Sequence, residues 1–135
     1  MKTLTDKKRI LMIDDDEDLV EETVSILKDA GYSVDPAFDG VRGEELAYNG
    51  SYDLILLDVK MPGLRGPQVL KDLKEKKILS KIIIITGSLI IGPSSDCAKE
   101  TNPSEECRII DLADGVIEKP FNPGELLAKI EEILS

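Results

Sequence analysis

The stretch Ile10-Leu11-Met12-Ile13-Asp14-Asp15-Asp16-Glu17-Asp18 decides the fold: four apolar side chains run directly into five acids. An apolar run without polar alternation reads as a strand covered on both faces, the mark of a parallel sheet between helical layers. Beyond the acids, Leu19, Val20, Thr23, Val24 and Leu27 recur at helical spacing and stop at Gly31, a residue suited to a helix C-terminus. The unit is therefore strand, acidic loop, helix.

The same unit recurs along the chain. Ser33–Ala37 reads as a second strand, followed by a short helix over Gly43–Asn49 that ends at Gly50. Asp53–Leu57 is the third strand, and Pro67 opens a helix through Lys76 as a first-turn proline. Ile82–Ile85 and Val116–Glu118 are the fourth and fifth strands. Pro123 starts a last helix with Leu126, Leu127, Ile130, Ile133 and Leu134 on its apolar stripe. Five βα units with no linker or repeat predict one doubly wound α/β domain over residues 8–135, preceded by a short extension, residues 1–7.

Composition narrows the chemistry. A chain of 135 residues buries about two-thirds of its surface on folding, so no disulfide or metal staple is needed. There is no histidine, which excludes Ser-His-Asp and Cys-His catalytic units, histidine-ligated metals and a histidine general base. With 17 basic and 27 acidic residues the formal charge is 17 − 27 = −10, which argues against phosphate-mediated binding of nucleic acid or an anionic membrane. Cys97 and Cys107 have neither a redox nor a zinc-ligand spacing and read as free thiols in a reducing compartment. Neither a secretory signal nor a membrane-spanning stretch is legible, so the expected location is the cytoplasm.

In doubly wound sheets the site lies outside the carboxyl ends of the strands, where the strand order switches. Asp14–Asp18 follow the first strand, Asp58 the third, Thr86-Gly87-Ser88 the fourth, and Lys119-Pro120-Phe121 the fifth. If strands one and three are neighbours, Asp14, Asp15 and Asp58 meet. Three such carboxylates repel one another, and a hard divalent cation is the simplest remedy. Magnesium fits, because it favours one or two carboxylates, several waters and a phosphoryl oxygen. Thr86 adds a hydroxyl and Lys119 a fixed positive charge, the groups that neutralise a transferring phosphoryl. Asp16 reads as an N-cap or a first-turn acid of the first helix, with Glu17 and Asp18 as solvated first-turn charges.

Four segments, Ile13-Asp14-Asp15-Asp16, Asp58-Val59-Lys60-Met61-Pro62-Gly63, Thr86-Gly87 and Glu118-Lys119-Pro120-Phe121, stand together in an order that resembles the response-regulator receiver domain of two-component signalling. The resemblance implies a flavodoxin-like five-stranded parallel sheet, order 2-1-3-4-5, with five helices. It further implies Asp58 as phosphoacceptor, with a histidine kinase or phosphotransfer protein as donor. Magnesium would be held by Asp14, Asp15, Asp58 and the backbone carbonyl of Lys60. Thr86 and Lys119 would contact phosphoryl oxygens, and the Lys119-Pro120 bond is expected to be cis. Such a domain is not an enzyme on other substrates; it catalyses only its own phosphorylation and dephosphorylation. The resemblance leaves the output partner open and implies a monomer or weak dimer.

Two features depart from the family pattern. Val116 stands where an aromatic usually precedes the lysine by three residues, which puts the usual switch contact in question. Thr86 and Lys119 are also unusually far apart. A late helix opening at Asn102-Pro103 leaves residues 87–101 as a long connection, read as a surface insertion or as a partner-binding lid through Leu89-Ile90-Ile91. The rival readings explain less. A haloacid-dehalogenase-like phosphatase would use Asp14 and Asp16 but leaves Asp58 without a role. An FMN carrier would need a phosphate-cradling loop where five acids stand. A DNA-binding regulator would need a further basic domain.

Overall fold

The computed structural model describes residues 8–58, 66–86, 113–118 and 121–134, with Gly66, Pro67, Gln68 and Thr86 placed by their backbone alone. The strands are β1 (Arg9–Ile13), β2 (Ser33–Ala37), β3 (Leu54–Asp58), β4 (Lys81–Thr86) and β5 (Gly115–Glu118). The helices are α1 (Glu17–Asp29), α2 (Gly40–Asn49), α3 (Gly66–Glu75) and α4 (Pro123–Leu134). All strand pairs are parallel, in the order β2-β1-β3-β4-β5, as expected. Four helices are described. The helix expected from Asn102, and the long connection before it, lie outside the described residues.

Period-two geometry inside continuous apolar runs supplies two cores at once. Leu11, Ile13, Ile55, Leu57, Ile82 and Ile84 point to one face, where Ala47 of α2 and Val69, Leu70 and Leu73 of α3 cover them. Ile10, Met12, Leu54, Leu56, Ile83 and Ile85 point to the other, under Val20 and Leu27 of α1 and Leu126 and Ile130 of α4. Neither face of the central strands meets water, which is why these strands carry no polar alternation.

Local chemistry sets the helix ends. Asp16 caps α1 by accepting a hydrogen bond from the Leu19 N–H at 3.1 Å. At the other end Gly31 takes φ +100, with its N–H donated to the Lys28 carbonyl and that of Tyr32 to Leu27, a left-handed C-terminal turn. Helix α3 closes the same way through Lys77, at φ +55, with bonds to Lys74 and, from Ile78, to Leu73.

Several boundaries differ from the sequence reading, most of them by one residue. Helix α2 starts at Gly40 rather than Gly43, because the Asp39 carboxylate accepts the Arg42 N–H at 2.7 Å and caps a turn earlier. Gly43 instead marks a close approach. A Cβ there would lie 2.5 Å from Cδ1 of Ile13, so its absence lets α2 settle on β1. Asp53 precedes β3 instead of opening it, its carboxylate accepting the Arg9 N–H at 2.8 Å. Strand β3 in turn extends through Asp58.

Candidate functional site

The chain leaves β1 first for β2 on one side and later for β3 on the other, so the switch point lies between β1 and β3. Their register places Ile13 opposite Leu57, which carries the two strands on to Asp14 and Asp58 side by side. Asp15 follows immediately. One carboxylate oxygen from each of Asp14, Asp15 and Asp58 lies within 4.8 Å of the others. Asp14 is fully buried and Asp58 is 4% exposed, while Asp15 faces solvent.

Backbone bonds hold this corner in place. The Asp14 N–H donates to the Ala37 carbonyl at 3.0 Å, extending the β1–β2 ladder one residue past the strand. Its Oδ1 accepts the Asp16 N–H at 3.0 Å. Two carboxylate charges within 4.8 Å of each other repel by about 3 kcal/mol or more at an effective dielectric constant near 20. Two buried acids and one solvent-facing acid, oxygen donors only, suit a hard divalent cation that keeps part of its water shell.

The other expected site residues are placed less completely. The Thr86 backbone ends β4 opposite Glu118, and Asp58 pairs with Ile85, so Thr86 is one residue beyond the strand position beside Asp58. Strand β5 ends at Glu118, directly before Lys119 in the chain. Lys60, Lys119 and the Lys119-Pro120 bond lie outside the described residues. Val116 is half-buried against the core under α2 and α3. Sequence reasoning missed the Asp16 backbone link to Asp14. An acid two residues before a helix cap is the only sequence signal for it.

The response regulator receiver domain family matches residues 10–131. The chain belongs to that family. Among proteins of this kind it is 37% identical over 123 residues to the transcriptional regulatory protein DltR of Streptococcus agalactiae, which covers 90% of this chain and 50% of that protein. The chain thus spans about half the length of the curated relatives it matches. Among solved structures, the receiver domain protein (CheY-like) from Methanospirillum hungatei superposes with a TM-score of 0.78 at 33% identity, covering 95% of this chain and 94% of that one. The response regulator TrrA from Thermotoga maritima, solved in complex with Mg(2+)-BeF, gives a TM-score of 0.76 at 32% identity, over 94% and 99% of the two chains. This receiver domain therefore has the family's sheet order and an acidic pocket suited to phosphorylation and magnesium. Among the described residues no helix is long and apolar enough to cross a membrane.

Proposed function

We propose that this receiver domain takes a phosphoryl group from a histidine kinase or phosphotransfer protein onto Asp58. The observation that carries the reading is the buried Asp58 carboxylate at the end of β3, grouped with Asp14 and Asp15 within 4.8 Å. An Asp58 carboxylate oxygen attacks phosphorus, the P–N bond of the donor phosphohistidine breaks, and the electron pair leaves with the imidazole. The product is an acyl phosphate on Asp58.

Asp14, Asp15 and Asp58, with the Lys60 carbonyl, would hold magnesium. Bound magnesium supplies positive charge that offsets the carboxylates and the transferring phosphoryl oxygens. The chain's own residues do the rest by position. Asp14 and Asp58 are fixed by the ends of adjacent parallel strands, so the acceptor is oriented before the donor arrives. Thr86 at the end of β4 would donate its hydroxyl to a phosphoryl oxygen, and Lys119 after β5 would pair with another. Readout would follow from movement around Thr86, with Val116 offering less bulk than an aromatic would. The relatives named as transcriptional regulators support an output in gene control through a partner or a further domain. Two cysteines with neither a redox nor a zinc-ligand spacing support a reducing, cytoplasmic location, and a monomer or weak dimer is the expected state.

Intact-mass measurement after incubation with acetyl phosphate and magnesium tests this directly. The expected result is one added phosphoryl group, dependent on magnesium and absent in Asp58→Asn. An unchanged wild-type mass with acetyl phosphate and phosphoramidate alike would overturn the reading.

A further inference from the structure

We propose that the Leu79 tip of one copy of this chain docks in the groove between α1 and β2 of a second copy, a head-to-tail contact separate from the acidic site. Leu79 is 98% exposed, yet the chain holds it firmly. Before it, Ile78 packs against the core and donates its N–H to the Leu73 carbonyl at 3.2 Å. After it, Ser80 is buried, with its hydroxyl donated to the Tyr52 carbonyl at 2.6 Å, and the Lys81 N–H reaches the Asp53 carbonyl at 3.0 Å. Two anchored neighbours thus present one leucine to water, so covering it costs little conformational entropy. Residues 74–81 hold four lysines against Glu75, in a chain of net charge −10. Of these, Lys76, Lys77 and Lys81 are exposed around the tip.

The matching hollow lies at the β2 edge of the sheet. Val20 and Val24 of α1, with Pro36 and Phe38, give it an apolar lining. Its volume of about 390 Å³ exceeds the roughly 150 Å³ that holds a benzene ring, so an isobutyl group fits. Glu21 and Asp29 also line it, together with Lys28, and α1 as a whole exposes five acids against that one lysine. An apolar tip among lysines and an apolar hollow among acids are complementary in shape and in sign. The tip cannot fill its own groove. Strands β2 and β4 stand three spacings apart, about 14 Å, and the tip follows α3, which covers the opposite sheet face from α1. Each copy therefore offers one tip and one groove to other copies, an arrangement that adds them head to tail. One side chain in one hollow covers far less than a standard interface, so the contact is weak.

Sedimentation equilibrium up to about 1 mM protein tests this on wild type, Leu79→Ser, Ser25→Arg and an equimolar mixture of the two variants. Leu79→Ser loses the tip and keeps the groove. Ser25 lines the groove, so Ser25→Arg keeps the tip and puts bulk and positive charge where the tip would enter. Both positions are exposed, so neither change opens a cavity in a core. Leu79→Gln and Ser25→Lys take the place of a variant whose thermal melt departs from wild type. The expected result is a wild-type mean mass that rises with concentration, and association about tenfold weaker or less in each variant alone. The mixture should recover the wild-type affinity but stop at a one-to-one dimer, because only one tip meets one groove. A wild type that stays monomeric at about 1 mM would overturn the second copy as occupant, in favour of an unlike acidic partner. Association of either folded variant as strong as wild type, or a mixture no stronger than its components, would overturn the tip-in-groove contact itself.

Discussion

Replacing Gly43 by alanine tests how α2 meets the strand that carries Asp14. A Cβ built there lies 2.5, 2.7 and 2.9 Å from Cδ1, Cγ1 and Cγ2 of Ile13. Ile13 is fully buried and β-branched, so it has little rotamer freedom with which to retreat. Overpacking of this kind costs about 1–3 kcal/mol, whereas Gly→Ala inside a helix returns about 1 kcal/mol. The net expectation is a loss of about 1 kcal/mol, or a Tm lower by about 3–5 °C for a domain of this size. Urea unfolding of Gly43→Ala, Ile13→Val and the pair supplies the decisive comparison. Ile13→Val alone costs about 0.5–1.5 kcal/mol and removes Cδ1, the nearest of the three atoms. The double variant should therefore be more stable than the sum of the single losses, by about 0.5–1 kcal/mol. A Gly43→Ala protein more stable than wild type, with additive double-variant losses, would refute the close-approach argument.

Lys77 occupies a left-handed position at φ +55 that favours glycine, so Lys77→Gly should raise stability by about 0.5–1 kcal/mol in a denaturant melt. Glu44, half-buried on α2, accepts the Tyr48 hydroxyl at 2.9 Å, and its carboxyl is pushed up to about 7 by burial and by the facing Asp72 carboxyl of α3. The raised value means that the folded protein holds this proton more tightly than the unfolded chain. That stabilisation is complete below the ordinary carboxylate range near 4.5 and is lost as pH rises through about 7. Wild type should accordingly match Glu44→Gln in Tm near pH 4.5 and fall below it near pH 8; parallel pH profiles would contradict this. Asp39→Ala removes the carboxylate that starts α2 at Gly40 and should cost about 1 kcal/mol by thermal melt, with Asp39→Ser restoring most of it.

Much of this protein is legible in its residue order. Consecutive apolar runs such as Ile10–Ile13 and Ile82–Ile85 can be satisfied only by burial on both faces, which dictates a parallel sheet with helices on each side. The acids that gather at the ends of β1 and β3 can be found by their place after apolar runs, and Asp16 as a residue of the first helix's start. What the residue order lacks is distance between parts far apart in the chain. Only the sheet places β1 beside β3 in the register that brings Asp14 and Asp58 together, 44 positions apart, and buries both. Only the tertiary contact with Ile13 explains Gly43, whose reading as a helix start followed from local propensity. The start of α2 after Asp39 and of β3 after Asp53 likewise turned on which backbone N–H each carboxylate reached. Local sequence determines the chemistry that each strand end carries. The packing of strands in three dimensions decides which of those groups share a site, because carboxylate repulsion and cation affinity depend on ångström separations that no linear spacing encodes.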